Sequence, residues 1–276
     1  MSSSSVPVGL SYSGGKSSKW QLHAVLNGVL PRPEHFAVFF AHTGIEHEWT
    51  YEDVEDVRET CRKEGIKFIQ CQRDELLDAH LLSIMPLNRT RAETPPMYVA
   101  KDGGGRGQIA HRCTREFKVA PMRRAQSLWL KEIGQPKRVE KWVGFAKDEI
   151  GRAIKAEAKR DVKWESLAFP AIRLGLTREE QAAQLKSWGV KVPRFSMCTI
   201  CPWKTPGRWA ATPEAQRKRA IEVDESIRDL SNCGITDGEV FLSDQLIPVA
   251  SLFKRTAASE TSALSDAGCD GGHCFL

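Results

Sequence analysis

A run of small and hydroxyl-bearing residues near the start of the chain has the composition of an anion-binding loop; it reads Ser11-Tyr12-Ser13-Gly14-Gly15-Lys16-Ser17-Ser18. The apolar residues 6–12 predict a strand before the turn, and residues 16–29 predict a helix after it. Backbone N–H groups at a helix start, together with the helix dipole, favour a bound anion. The paired glycines admit a close ligand and the lysine adds positive charge, so the sequence predicts a phosphate site.

The loop departs from the Walker A sequence, which requires a glycine four residues before its Gly-Lys-Ser/Thr. Counting back from Gly15 places Leu10 where that glycine belongs, and Gly9 stands one residue too early. No acidic residue ends the second predicted strand, residues 36–41, to hold magnesium. A P-loop NTPase is therefore disfavoured.

Length and composition predict a cytoplasmic α/β protein with an anionic partner. The chain has 276 residues and a net charge of +5, and no apolar run approaches the ~20 residues of a membrane helix. Residues 1–5 lack the features of a secretory signal, so we expect a reducing cytosol and no membrane partner. There, its eight cysteines are expected to bind metal, react or lie buried; Cys61 and Cys71 are predicted to be core residues.

Strands alternate with helices along the first half of the chain, which predicts a mostly parallel sheet with helices on both faces. Further strands are predicted at residues 66–71, 139–145 and 164–169. Thr50 and Thr177 are predicted to cap helices, the latter through a capping box, and another helix is predicted from Thr212 to Leu230. The glycine-rich residues 95–107 predict a loop, either a lid beside an active site or an ordinary surface loop.

Cys198 and Cys201, followed by Pro202, have a metal-ligand spacing, since two sulfurs on one tight turn can reach a single metal. Two more cysteines, Cys269 and Cys274, stand in a small-residue tail near the C-terminus. The chain is thus predicted to comprise a nucleotide-binding domain at 1–209, a helical extension at 210–255 and a flexible cysteine-containing tail at 256–276.

Five segments in order resemble the PAPS reductase-like family of the PP-loop ATP pyrophosphatases, the adenine nucleotide α-hydrolase superfamily. The loop is similar to the Ser-Gly-Gly-Lys-Asp-Ser signature, with Ser17 in place of the aspartate. The other segments are residues 39–46 (FFAHTGIE), 113–121 (CTREFKVAP), 144–152 (GFAKDEIGR) and 193–202 (PRFSMCTICP). The resemblance implies a Rossmann-like fold that binds ATP or a sulfonucleotide (PAPS or APS), with magnesium as a further candidate.

The resemblance also implies a set of site residues. Lys16, Lys118 and Arg152 would be catalytic and, with Arg123 and Arg124, would face the substrate's anionic end; a solvated basic face is the alternative for Arg123 and Arg124. The implied nucleotide-binding residues are Ser11, Ser13, Gly14, Gly15, Lys16, Ser17, Ser18, Thr43, Gly44 and Gly144. Asp148 and Glu149 would orient a cation, hold Arg152 or cap a helix.

In relatives of this kind, cysteines hold a [4Fe–4S] cluster, and the resemblance implies that Cys113, Cys198 and Cys201 do so here. Three thiolates would leave one iron open to bind sulfur, whereas zinc completed by His111 or His273 fits the same sulfurs. Cys274, in the tail, would be catalytic if the chain acts as a sulfonucleotide reductase.

Three functions compete at this point. The first is ATP-dependent sulfur transfer, with adenylylation of a nucleic-acid or nucleobase acceptor and a thiol or sulfur donor protein as partner. The second is reduction of PAPS or APS to sulfite through a tail cysteine. The third is a non-catalytic nucleotide-binding accessory protein, against which the phosphate loop and the cysteine set both argue.

Overall fold

The computed structural model describes residues 6–101 and 103–257. The strands, in chain order, are β1 Val8–Tyr12, β2 Phe36–Ala41, β3 Lys67–Cys71, β4 Tyr98–Ala100, β5 Arg106–Gln108, β6 Val139–Val143, β7 Glu165–Ala168 and β8 Val240–Phe241. The helices are α1 Lys16–Leu26, α2 Glu48–Lys63, α3 Leu77–Ser83, α4 Ala120–Glu132, α5 Ile150–Ala158, α6 Pro170–Arg173, α7 Arg178–Ser187, α8 Pro206–Ala210, α9 Glu214–Ser226 and α10 Val249–Ala257.

Within the described residues, β1, β2, β3, β6 and β7 form one parallel sheet in the order β3-β2-β1-β6-β7. Every residue of β1 and β2 is buried, as continuous apolar strands of a parallel sheet require. Leu10 and Phe40 pack on one face with α1 and α2, while Phe39 packs on the other with Trp129 of α4. The predicted α/β class, with helices on both faces, is confirmed.

The glycine-rich segment that was predicted to be a loop is instead a β-hairpin. Its strands β4 and β5 pair antiparallel, and Tyr98 of β4 also pairs with Phe241 of β8. The loop prediction is wrong because the partner that orders the segment stands far along the chain. None of the described hairpin residues belongs to the wall of the cavity reported below.

The hairpin covers a hydrophobic cluster of its own. It packs with α3, α8, α9 and α10 around buried side chains that include Leu81, Met97, Trp209, Val223, Val240 and Leu252. Residues on both sides of position 210 belong to this cluster, although the division into 1–209 and 210–255 stays a prediction. Cys269, Cys274 and the predicted tail beyond residue 257 lie outside the described residues.

Two helix N-termini were predicted from capping residues, and the structure confirms one of them. Thr177 caps α7 as predicted: its hydroxyl accepts from Glu180 N, and the Glu180 carboxylate accepts from Thr177 N at 2.8 Å. Thr50 does not cap α2, because the helix already begins at Glu48 and Thr50 lies buried inside it. Among the described residues, no helix combines the length and apolar character needed to cross a membrane.

Candidate nucleotide site

The predicted phosphate loop lies where β1 ends and α1 begins. Ser13 N donates to Ser18 Oγ at 3.2 Å, and Ser18 Oγ donates to Gly15 O at 3.0 Å, so the turn is closed by its own side chains. Among residues 6–101 and 103–257, no side chain caps the α1 N-terminus at Gly15, and the first turn contains no acidic residue. The first backbone N–H groups of α1 are therefore available to an anion, and no acidic side chain of that turn neutralises the positive end of the helix dipole.

Two glycines allow the backbone to approach closely around this loop. Gly14 has φ +73°, and a Cβ there would lie 2.4 Å from Thr50 Cγ2. Gly144 follows β6, and a Cβ there would lie 2.6 Å from Ser18 N. Both positions therefore require glycine, the second because the first turn of α1 packs directly on the end of β6.

A buried ion pair supports the loop from below. Lys19 of α1 and Asp53 of α2 are each 3% exposed, and Lys19 Nζ lies 2.5 Å from Asp53 Oδ1. The Tyr12 hydroxyl donates to the other carboxylate oxygen. Burial, and then Asp53, raise the pKa of Tyr12 well above its usual value. These contacts tie the end of β1 and the start of α1 to α2.

A cavity of about 280 Å³ opens beside the loop, between the sheet and the segments 115–123 and 156–161. It lies at the point where the strand order reverses between β1 and β6, the usual ligand crevice of an open parallel sheet. Basic side chains outnumber acidic ones in its wall. The wall includes Ser11, Tyr12, Ser13, Phe40, Ala41, Glu46, His111, Arg115, Lys118, Val119, Met122, Arg123, Lys141, Val143, Ala156, Lys159, Arg160, Asp161, Glu165 and Leu167.

Among the solved structures that resemble this chain is a tRNA thiolase. It is the U34-tRNA thiolase NcsA from Methanococcus maripaludis with its [4Fe–4S] cluster, at a TM-score of 0.40 and 10% identity, covering 95% of this chain and 75% of that one. No protein-family model matches the chain, and no curated protein sequence matches it significantly. A similarity this remote does not support a functional assignment. The function proposed below is argued from the geometry of the site.

Lys118, predicted to be catalytic, reaches the cavity from a π-helical turn that spans Arg115–Val119. Its Nζ lies 3.1 Å from Glu46 Oε1, and Glu46 is 2% exposed. The same oxygen accepts from Thr43 Oγ1 at 3.2 Å and from the Cys198 thiol at 3.4 Å. Glu46 therefore links the basic cavity wall to the turn of residues 198–201, called the cysteine turn below.

The cysteine turn is fixed to the β2–α2 connection by backbone bonding. Cys198 forms a β-bridge with Glu46, and Thr199 N donates to Ile45 O at 2.8 Å. The pKa of the neighbouring Lys204 falls to about 7 because of burial, an effect that Cys201 and then Cys198 oppose. The amine of Lys204 donates to Thr199 O at 2.7 Å and to Thr212 Oγ1 at 2.8 Å, which holds the turn that carries Cys198 and Cys201.

Cys113 packs against the hydrophobic cluster under the hairpin, five residues before Lys118 in the chain. Burial raises its pKa to about 11, and Lys118 opposes the rise. Within the part of the chain that the structure describes, no three His, Cys, Asp or Glu side chains converge as metal ligands. The three predicted ligands therefore do not form a ready-made metal site in these residues. Cys61 and Cys71 are buried, as predicted.

Arg152 pairs with Glu149, and its guanidinium lies 4.6 Å from the centroid of the Phe145 ring. Of the roles left open for the two acidic residues, Glu149 holds Arg152, and Asp148 accepts from Arg178 N at the start of α7. Arg123 pairs with two acidic residues in the cavity wall, whereas Arg124 is exposed.

Gly44, predicted to bind nucleotide, has a structural explanation of its own. Its φ is +85°, and a Cβ would lie 2.9 Å from Leu76 Cβ. The adjacent Thr43 is fully buried and supports Glu46 rather than facing the cavity. Sequence reasoning assigned these residues to the ligand because it cannot separate a close approach of chain from a close approach of nucleotide.

Two ion pairs of the site were not predicted from the sequence: Lys19 with Asp53, and Lys141 with Glu165. Lys141 lies in the middle of a buried strand, and Asp53 precedes Val54 on the apolar face of α2. A charged residue among buried positions was the available signal, because such a charge needs a partner. The partner itself could not be identified from spacing.

Proposed function

We propose that this chain is an enzyme that binds an adenine nucleotide, with the phosphates on the Ser13–Ser18 loop and the nucleoside in the adjacent cavity. The observation that carries this proposal is the N-terminus of α1, which lies at the strand-order reversal beside a mainly basic cavity and which no described side chain caps. Helix N-termini at this position bind phosphate through backbone amides. Ser13 belongs to both the loop and the cavity wall, which favours one continuous ligand.

The proposed reaction is ATP-dependent activation of an acceptor for sulfur transfer. An acceptor oxygen attacks the α-phosphorus, the bond from that phosphorus to the bridging oxygen breaks, and pyrophosphate leaves. A sulfur nucleophile then displaces AMP from the acceptor. Lys16 and Lys118 would stabilise the negative charge that develops on the phosphates, and Arg152 would do so by exchanging Glu149 for the ligand.

The acceptor and the sulfur donor belong to this proposal as well. The basic wall residues Arg115, Lys159 and Arg160 suit a nucleic acid or nucleobase, and a thiol or sulfur-carrying protein would supply sulfur. Cys113, Cys198 and Cys201 are the candidate ligands of a [4Fe–4S] cluster, which would hold sulfur for transfer. Since their described positions do not converge on one metal, no step above depends on the cluster.

A turnover screen tests the proposal. Purified protein is incubated with ATP and pyrophosphate is measured, in parallel with PAPS and APS and measurement of sulfite. Pyrophosphate release that Lys118→Met lowers, while Lys131→Met on the exposed side of α4 does not, is the expected result. Sulfite release that is lost in Cys274→Ser would identify a sulfonucleotide reductase instead. The absence of both products would contradict the proposed reaction.

The metal is tested separately by iron and zinc analysis after anaerobic purification. If the cluster forms, the protein contains iron and absorbs at about 400 nm, as thiolate-ligated clusters do. Serine at position 113, 198 or 201 then lowers the iron content, whereas Cys61→Ser does not, because Cys61 is a core residue of α2. Stoichiometric zinc without iron would replace the cluster with a zinc site.

A further inference from the structure

Four charged side chains of the cavity wall form a cluster at the end away from the phosphate loop. Lys141 of β6 and Glu165 of β7 are 9% and 2% exposed, and Lys141 Nζ lies 3.6 Å from Glu165 Oε2. Arg123 of α4 lies 3.1 Å from Glu165 Oε1 and 2.8 Å from Asp161 Oδ1. Burial lowers the pKa of Lys141, and Glu165 opposes this effect.

One oxygen of this group has no hydrogen-bond donor. Glu165 Oε2 is buried and accepts no hydrogen bond within residues 6–101 and 103–257, and Lys141 Nζ is too distant to supply one. An unsatisfied buried acceptor is costly, and such atoms are rare in folded proteins. Because Glu165 belongs to the cavity wall, a ligand that carries an N–H group and displaces its neighbours slightly can satisfy this oxygen.

The register of the sheet shows how far Lys141 and Glu165 lie from the phosphate loop, a distance that a nucleoside can span. Lys141 pairs with Gly9, and Val143 pairs with Ser11, which precedes the loop. From Gly9 to Ser13 the strand rises roughly 13 Å, at about 3.3 Å per residue. A nucleotide with its phosphates at Ser13–Ser18 would therefore direct its base towards Lys141 and Glu165. This step rests on the proposed function.

We propose that Glu165 and Lys141 are the specificity-determining pair of the cavity and recognise one edge of the base. Glu165 Oε2 accepts from an exocyclic amine, and Lys141 Nζ donates to the adjacent ring nitrogen. Adenine presents such a donor beside an acceptor, at N6 and N7. Hypoxanthine carries a carbonyl oxygen in place of the amine, so two acceptors would face each other at Glu165.

The neighbouring Arg123 makes this recognition directional. Because Arg123 binds Oε1, only Oε2 is left for the ligand, so the carboxylate accepts from a single N–H group. In Glu165→Gln, Arg123 can pair only with the amide oxygen, since both of its partners must be acceptors. The amide NH₂ then takes the position of Oε2 and presents a donor to the ligand.

Calorimetric binding to the wild-type protein provides the first test. ATP, the triphosphate of purine riboside, which lacks the 6-amine, and ITP are compared at one salt concentration. We expect the affinity to fall in that order, with ITP roughly 10- to 100-fold weaker than ATP, as an unsatisfied buried acceptor predicts. Equal affinity for ATP and ITP would overturn the inference without touching the phosphate site.

The variant Glu165→Gln provides the second test, with Asp161→Asn as its matched control. Both changes weaken a partner of Arg123, but Asp161 is half exposed and leaves Oε2 unchanged. We expect the ATP-to-ITP ratio to fall at least tenfold in Glu165→Gln and to stay the same in Asp161→Asn. An unchanged ratio in folded Glu165→Gln would refute base recognition here.

The two levels of the hypothesis fail differently. If the wild-type protein binds neither ATP nor ITP, the proposed function fails and the inference fails with it. If ATP binds and inorganic phosphate competes equally with all three triphosphates, the phosphate site is supported. The order of affinities among the three triphosphates then supports or refutes base recognition by Glu165 and Lys141. Should Glu165→Gln not fold, the wild-type ligand series still decides it.

Discussion

The parallel sheet differs from the hairpin region, which comprises β4, β5 and β8 with the helices α3, α9 and α10. The two regions differ in how far apart in sequence their contacting residues lie. In the sheet, the phosphate loop is one continuous run between β1 and α1, so a single stretch of sequence specifies it. In the hairpin region, Tyr98 pairs with Phe241 across most of the chain. Chemistry that depends on one turn can be read from sequence, whereas structure that depends on distant pairing cannot.

The comparison also separates two roles. Residues of the sheet region supply the loop and much of the cavity wall, while the hairpin region supplies a second hydrophobic cluster next to the cysteine turn. Cys198 packs against that second cluster and its thiol donates to Glu46, which lines the cavity. Damage to the sheet should therefore abolish nucleotide binding, and damage to the hairpin should spare it.

The largest effect is expected from Asp53→Ala, beneath the phosphate loop. The change leaves the Lys19 ammonium buried without its carboxylate, which typically costs about 3–5 kcal/mol of the free energy of unfolding. Thermal and urea unfolding measure it. The control is Glu55→Ala on the same helix, whose partner Arg58 is exposed, and it should change stability little. Equal losses in both variants would refute a special role for the buried pair.

The next effect is expected from Gly144→Ala. Its methyl group would lie 2.6 Å from Ser18 N, so the first turn of α1 must move away from β6. We expect ATP affinity to fall about tenfold or more, which is about 1.4 kcal/mol of binding free energy, because the displaced amides no longer align with the phosphates. Gly151→Ala in α5 meets nothing within 4 Å and should bind ATP normally. Retained affinity in Gly144→Ala would show that these amides do not hold the phosphates.

A smaller and local effect is expected from Gly238→Ala, next to β8. Gly238 has φ +102°, and a Cβ would lie 2.2 Å from Ala100 O of β4. Gly104→Ala, at φ +86° in open space, is the control for backbone strain alone. Hydrogen exchange should accelerate in β4 and β8 of Gly238→Ala while ATP affinity stays constant. A loss of ATP affinity would contradict the separation of the two regions.

The smallest effect concerns pH. Burial, and then Lys19, lower the pKa of His23 in α1 to about 4, from about 6.5 unfolded. The unfolded chain then binds more protons between these values, so this residue's contribution to stability is present above pH 6.5 and is lost as pH falls through 4. His23→Gln should flatten the fall in unfolding free energy over that range. An unchanged fall in His23→Gln would contradict this contribution.

Sequence reasoning found the parts of the fold that local periodicity encodes. The buried strand Phe36–Ala41 was predicted with its observed bounds, since a continuous apolar run flanked by breakers has few alternatives. The Thr177 capping box was found for a similar reason, because both partners lie within one helical turn. The hairpin was missed because its glycines indicate a turn but not the strand that pairs beside it.

The candidate site divides in the same way. Ser13, Gly14 and Gly15 were identified from composition, whereas Glu165 and Lys141 were not, because their pairing exists only when β6 and β7 lie side by side. Gly44 and Gly144 were both assigned to ligand binding from family resemblance. Each has a close backbone or side-chain neighbour that explains the glycine, which only three-dimensional packing reveals.

The most direct test of the phosphate site is calorimetric titration of ATP and adenosine into the wild-type protein and Gly15→Val. Gly15 has extended φ and ψ angles, and an added Cβ lies no closer than 3.2 Å to Ser13 Oγ, so the variant should fold. The added side chain nevertheless covers the start of α1. We expect wild-type protein to bind ATP far more tightly than adenosine, and Gly15→Val to lose that difference. Equal ATP binding by both proteins would contradict a phosphate site at this loop.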